Sequence, residues 1–384
     1  MRDVFIAGAA VHPFGKHRDL PADQLGYLAV SELLATTGVQ PDRVDTGFGG
    51  SVYGGSLLAQ RVLQRVGISG QPVFTVENAC ASGASAVHLA WQAVASGSAD
   101  CAVAFGAENL SSLGGGTLPL TTADIEIDQG MVMPAAYAMR AQRYLSDWNA
   151  TVNDLTNVSV KNRRNGAANP RAHFQEEVSR DQVAESRPVA DPLRLLHCCP
   201  NSDGAAAVLL CSQEVAATLA GPQARVAASV VRSGQFSTGY RDMTWPDITD
   251  RTATAAYAQA GLGPEDLDVV ELHDAFAVAE LLHAEALGIA ERGKAHVAVA
   301  TGEFDRDGRV AVSPSGGLLS RGHPVGATGV AQIAETYWQL TDQAGELQVP
   351  GARVGLTHVT GGGIFGVDNG ACSVHILTSA QVQS

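Results

Sequence analysis

Residues 309–340 read RVAVSPSGGLLSRGHPVGATGVAQIAETYWQL, and residues 73–97 read VFTVENACASGASAVHLAWQAVASG. Each runs from a strand through a turn of small residues into an apolar helix. A second apolar segment follows each one, ARVGLTHVTGGG at 352–363 and DCAVAFGAEN at 100–109. Neither segment alternates polar and apolar residues, as expected of strands covered on both faces. Strands separated by helices in this way imply parallel or mixed α/β sheets. The repetition extends upstream. QLGYLAVSELLATTG (24–38) precedes VQPDRVDTGFGGSVYGG, and TATAAYAQAG (252–261) precedes LGPEDLDVVELHDAFAVAE. Both read helix, helix-ending glycine, proline-acidic turn, strand and loop. Gly38 and Gly261 suit a left-handed helix cap, and Pro41 and Pro264 suit the start of the next turn.

The chain therefore reads as two similar α/β halves, about 1–225 and 226–384. An insertion near 112–196 lengthens the first half and is expected to cap one end. It holds an amphipathic stretch, MPAAYAMRAQRYLSDWNAT (133–151), and four cations, Lys161, Arg163, Arg164 and Arg171. Those cations fit either a solvated helix face or a phosphate-binding patch.

Bulk properties narrow the class. The 384 residues are 45% hydrophobic and 17% charged, the composition of a compact enzyme rather than a disordered chain. A net charge of −14 argues against nucleic-acid binding through a broad basic face. None of the six cysteines has C-x-x-C spacing, so no metal is expected. Cys101 and Cys211 lie in apolar runs, which fits reduced, cytoplasmic usage. The N-terminus MRDVFIAGAA lacks the apolar core of a signal peptide, and no run is long enough to span a membrane. No G-x-x-x-x-G-K motif or well-placed G-x-G-x-x-G motif is present, which disfavours nucleotide chemistry.

Four places could carry chemistry. Cys80 lies where a strand gives way to a helix, and a helix N-terminus favours thiolate. Small neighbours (Ala79, Ala81, Ser82, Gly83) leave room for a substrate. His323 lies in GGLLSRGHPVGATG, where five glycines in fourteen residues imply close backbone approach. Because the two segments are counterparts, pseudo-twofold symmetry would bring Cys80 and His323 together as a nucleophile–base pair. His273, in VVELHDAFA at the end of a buried strand, could donate to a substrate oxygen, with Asp274 orienting a neighbour or capping the next helix. Backbone N–H groups at Gly361, Gly362 and Gly363, after His358, could hold an oxyanion. His88, His197, His283 and His375 read as packing residues. The cysteines other than Cys80 read as structural, with Cys198 and Cys199, beside the loop PNSDG, the least settled.

Taken in order, NACASGASA (78–86), SDGAAAVLL (202–210), ELHDAF (271–276), SGGLLSRGHPVGATG and HVTGGG resemble the thiolase superfamily over nearly the whole chain. The resemblance implies a five-layered α-β-α-β-α fold with a loop domain over the active site. It implies acyl transfer through Cys80, with His323 activating the thiol. His273 and His323 would form one oxyanion hole, and the N–H groups of Cys80 and Gly361 the other. Coenzyme A would act as a co-substrate lying against the loop domain, with no tightly bound cofactor. At least a homodimer is implied.

Two departures stand out. The second cysteine that many thiolases use as acid and base is replaced by Val359. Sterol-carrier-protein thiolases instead carry a cysteine inside the His-Asp motif, at the position of Ala275. His358 is then a candidate proton shuttle. The combination is most similar to a bacterial and archaeal subgroup whose members often work with a small zinc-ribbon/OB-fold partner protein. The leading reading is a 3-ketoacyl-CoA thiolase. The runner-up is a thiolase-like aldolase that cleaves a β-hydroxyacyl-CoA, for example a steroid side-chain ester. A ketoacyl synthase fits less well. A non-catalytic scaffold subunit would predict a broken catalytic set.

Overall fold

The computed structural model describes residues 1–119, 125–235, 241–362 and 369–380. The first half contributes β1 (Val4–Gly15), α1 (Ala22–Thr37), β2 (Thr46–Gly50), α2 (Leu58–Arg65), β3 (Val73–Val76), α3 (Ser82–Ala95) and β4 (Cys101–Asn109). An excursion with two long helices, α4 (Met133–Trp148) and α5 (Val152–Ala167), precedes β5 (Asp203–Ser212). The second half repeats the plan: β6 (Ala224–Ser233), α6 (Asp247–Ala260), β7 (Val269–Glu271), α7 (Ala277–Ala286), β8 (Ala311–Val312), α8 (Val325–Leu340), β9 (Val354–Gly361) and β10 (Ala371–Ser379).

The strands follow the order β3-β2-β4-β5-β1, then β6-β10-β9-β7-β8, so each half has the same internal order. Within each half the helix-linked neighbours pair in parallel, and the last strand returns antiparallel. The halves meet where Phe5 and Ile6 of β1 pair with Arg225 and Ala224 of β6. The upstream repeat holds to the level of its caps. Gly38 (φ 70°) and Gly261 (φ 68°) end α1 and α6 in the left-handed region, donating to Leu34 O and Tyr257 O. A Cβ at either would meet nothing within 4 Å, so it is the backbone angle rather than space that calls for glycine.

Three apolar layers separate the sheets and their covers. α1 and α2 bury Leu25, Leu33, Leu58 and Leu63 against Phe105 and Leu209. α6 and α7 bury Ile248, Leu281 and Leu282 against Val270, Leu356 and Ile376. Between the two sheets lie α3 and α8, sharing one core through Val87, Val330, Ile333, Val208 and Leu377. The result is the five-layered α-β-α-β-α arrangement. α3 and α8 cross almost backbone to backbone: a Cβ on Gly83 would lie 2.4 Å from Gly326 O, and one on Gly329 would lie 2.6 Å from Ala84. That approach sets Cys80 and His323, just ahead of these helices, side by side.

The excursion packs on the second half. Tyr137 and Tyr144 of α4 and Leu155 and Val158 of α5 join the core of α6 and α7. Its four cations do not gather into one patch: each already has a partner, and of the four only Arg164 stays exposed. Lys161 is buried, 3.0 Å from Glu280 Oε1, and donates to Val312 O. Arg163 donates to Glu176 O and stacks over Phe174. Arg164 pairs with Asp305, and Arg171 pairs with Glu335 over Trp338. Among the described residues, no helix is long and apolar enough to cross a membrane.

Candidate active site

A cavity of about 920 Å³ opens where the strand ends of both halves meet the excursion, and Cys80, His273 and His323 all line it. Cys80 sits on a tight turn between β3 and α3. Ala79 is forced to φ 49°, and Ala81 N–H donates to Asn78 O at 3.0 Å. A non-glycine residue in that region costs about 1–2 kcal/mol. The turn is held by Asn78 Nδ2 donating to Ser85 Oγ and by Ser82 Oγ donating to Ala79 O. Burial pushes the Cys80 thiol up to about 12, with Glu108 and Glu77 adding to the rise and the N–H groups of Gly362 and Cys80 opposing it. The helix N-terminus therefore does not yield a resting thiolate here. Desolvation outweighs it, and the thiol needs a base.

His323 supplies one. Its Nδ1 lies 2.8 Å from Thr328 Oγ1, and that hydroxyl already donates to Pro324 O at 3.0 Å. With its only hydrogen committed, the Thr328 oxygen accepts from Nδ1–H, which leaves the lone pair on Nε2. Burial, then His273 and Arg321, hold the ring well below the usual histidine range, so it is neutral at pH 7. His273 stands edge-on to His323, with ring centroids 5.2 Å apart. Its Nδ1 lies 3.0 Å from Thr360 Oγ1, and its buried Nε2 has no partner. Burial lowers its pKa to about 3. Cys80 Sγ and one ring nitrogen of each histidine lie within 4.8 Å of one another. A thiol, a neutral base and an unsatisfied polar nitrogen thus converge on one spot, a set suited to nucleophilic attack on a carbonyl whose oxygen gains charge.

Other residues hold this set in place. Asp274 caps a helix, but not the one that follows it in sequence. It accepts from the backbone N–H of Leu318 at 2.7 Å, in the short helix Gly317–Ser320 just before His323, and Asn162 donates to its other oxygen. It thereby ties the His273 segment to the His323 segment. Glu108 is buried and accepts from Ser51 Oγ, Val52 N, Tyr53 N and Gly326 N, clamping the loop after β2 onto the first turn of α8.

The structure does not bring Gly361 or His358 to the cavity. Gly361 packs against the Cys80 turn, where a Cβ would lie 2.2 Å from Asn78 O, and it is Gly362 (φ 63°) whose N–H reaches Cys80. Gly363 falls outside the described residues. His358 lies one layer behind His273: its Nδ1 accepts from His273 N–H at 3.4 Å and its Nε2 lies 3.1 Å from Thr249 Oγ1. In place of a proton shuttle, this geometry makes His358 a support for the His273 backbone. Sequence reasoning missed Asn162 and Glu108, which reach the site from segments that carry no motif. It also passed over Thr328, although its place one turn beyond His323 was visible.

Residues 4–214 match the family described as thiolase, N-terminal domain, and residues 229–369 match thiolase C-terminal domain-like. The chain is 44% identical over 368 residues to benzoylsuccinyl-CoA thiolase subunit BbsB of Thauera aromatica, covering 94% of this chain and 95% of that protein. It is 39% identical over 387 residues to an acetyl-CoA acetyltransferase of Methanothermobacter thermautotrophicus, covering 98% and 100%. Among solved structures, the Ltp2-ChsH2(DUF35) aldolase superposes with a TM-score of 0.86 at 28% identity, over 99% of each chain. Two matched domains, long alignments and a shared five-layered fold lead to one conclusion: this chain belongs to the thiolase family.

Proposed function

We propose that the protein is a 3-ketoacyl-CoA thiolase working through an acyl-Cys80 intermediate. The observation that carries this is the convergence of Cys80 Sγ with the nitrogens of His273 and His323 within 4.8 Å, at a cavity that opens to the surface. His323 Nε2 takes the thiol proton as sulfur attacks the ketone. His273 Nε2 donates to the carbonyl oxygen as it gains charge. Dividing the cleavage into acylation and deacylation replaces one hard step by two easier ones. Coenzyme A is the acyl acceptor. Lys16, Arg18 and Arg187 line the same cavity and form no ion pair among the described residues, so they suit its phosphates. The scaffold reading is disfavoured because the catalytic set is assembled.

Intact-protein mass after mixing with acetyl-CoA or a panel of 3-ketoacyl-CoAs tests this. An acyl adduct is expected on the native chain and none on Cys80→Ser. A native chain that turns over substrate without ever carrying the adduct would defeat the proposal.

The likeness to an aldolase at 28% identity favours a second reading, retro-aldol cleavage of a β-hydroxyacyl-CoA. That reaction needs donors for an enolate but no acyl-cysteine, so Cys80→Ser would keep much of its rate. A homodimer and a small partner protein belong to the same proposal. BbsB is named as a subunit, and the aldolase is named with a DUF35 component. β3 supports the dimer: it is a sheet-edge strand with Phe74 51% exposed, an edge that a second copy could extend.

A further inference from the structure

Thiolysis needs two proton carriers. His323 serves the Cys80 thiol, but breaking the carbon–carbon bond leaves a carbanion elsewhere in the cavity, and that carbon needs an acid of its own. His358 is walled off, and Val359 and Ala275 have no proton to give. Two thiols on the cavity wall remain unused, Cys198 and Cys199. Cys199 lies opposite the His273 segment, its N–H donating to Ala275 O at 2.9 Å, while Cys198 bridges antiparallel to Phe276. This pairing puts Cys199 on the wall beside Ala275, and both residues line the cavity with Cys80, His273 and His323. The two vicinal thiols differ. Cys198 Sγ donates to Arg194 O at 3.4 Å, whereas the Cys199 sulfur is met by its own backbone N–H and, among the described residues, donates to no acceptor. His273 Nε2, buried and unpartnered on the same wall, marks where the carbonyl oxygen of a substrate would lie.

We infer that Cys199 is the second catalytic residue, the acid and base that serves the α-carbon. The assignment rests on the thiolase reading above. In cleavage, Cys80 sulfur bonds to the keto carbon while its proton passes to His323. The bond to the α-carbon breaks, and the electron pair left on that carbon takes the proton of the Cys199 thiol, releasing the CoA ester that keeps the α-carbon, which is acetyl-CoA for an unbranched substrate. The Cys199 thiolate then removes the proton of the incoming coenzyme A thiol. That sulfur attacks the acyl group, and Cys80 leaves and recovers its proton from His323. No oxidant or reductant is needed, and both cysteines end as thiols. Burial raises the Cys199 thiol well above its usual range, and negative charge on Cys198, Cys80 or Asp274 raises it further, so it rests protonated, as the acid must.

The test separates the half-reactions, using Cys199→Ala and Cys199→Ser beside the native chain. Acylation of Cys80 by acetyl-CoA, read by intact mass, needs no acid at the α-carbon and draws on Cys199 only to protonate the departing coenzyme A thiolate, which water can also do. The adduct should therefore still form in both variants, more slowly than in the native chain, which also shows that they are folded. Exchange of the acetyl-CoA methyl protons with D2O, read by NMR, and turnover of 3-ketoacyl-CoA both need that acid. Each should fall by roughly 100-fold or more, the usual span for loss of a general acid–base group. Variants that acylate normally and also keep exchange and turnover within about threefold of native would overturn the assignment while leaving the thiolase reading intact. A native chain that never acylates would overturn both.

Discussion

At the residue scale, the site works by desolvation and by a fixed tautomer. Cys80 is pushed up to about 12 and His323 is held well below 6.5, so near neutral pH both partners are uncharged. The reactive pair, neutral thiol with neutral imidazole, is fully populated above the His323 pKa and below that of Cys80. Acylation of Cys80 should therefore show no inflection between pH 6.5 and 9 in a pH-jump stopped-flow series. A rise centred near pH 8.5, the ordinary thiol value, would contradict the burial argument. Thr328 adds the second control. Thr328→Val keeps the shape but frees Nδ1 of His323 from its acceptor, and the ring can then present N–H to the thiol. Single-turnover acylation should slow by roughly 10- to 100-fold, while stability falls by only about 1 kcal/mol for the lost hydrogen bond.

At the element scale, two glycines of different kinds make a matched test. Gly83 is glycine for lack of space, since any Cβ would strike Gly326 O of α8 at 2.4 Å. Gly83→Ala must push α3 and α8 apart, which separates Cys80 from His323, and acylation should drop by more than tenfold. Gly38 is glycine for its backbone angle alone. Gly38→Ala should cost about 1 kcal/mol in urea unfolding and leave acylation unchanged. Equal loss of activity in both variants would mean that the helix crossing does not set the site geometry.

At the scale of the whole molecule, His273, His283, His323, His358 and His375 are all buried, with pKa values pushed down by desolvation. The unfolded chain takes up these protons near pH 6.5, and the folded chain does not. Stability should be full above about pH 6.5 and decline below it, by up to about 1.4 kcal/mol per pH unit for each histidine. Urea midpoints at pH 7.5 and pH 5.5 check this, and equal midpoints would contradict it. The exposed edge at β3 carries the oligomer proposal. Phe74→Glu should shift the sedimentation profile to monomer if a second copy pairs there.

Much of the architecture was legible because it is local and repeated. The strand–turn–helix pattern, the caps at Gly38 and Gly261 and the apolar runs of β4 and β9 depend on near neighbours in sequence, and a duplicated pattern predicts a duplicated fold. The pairing of Cys80 with His323 was legible for the same reason, since equivalent positions meet across a pseudo-twofold axis. Other features were set only by tertiary packing. The basic residues of the excursion look available in sequence, yet burial committed Lys161 to Glu280. Gly362 rather than Gly361 reaches the nucleophile, because Gly361 ends the strand packed on Asn78 while Gly362, at φ 63°, turns out of the strand with its N–H toward Cys80. The direction of the Cys80 shift was misread, because a helix N-terminus is visible in sequence but desolvation is not. The sequence by itself determined the family, the repeated halves and which residue types could react. Tertiary structure alone decided which of them share a cavity and in which protonation state, because burial and close approach join segments more than a hundred residues apart.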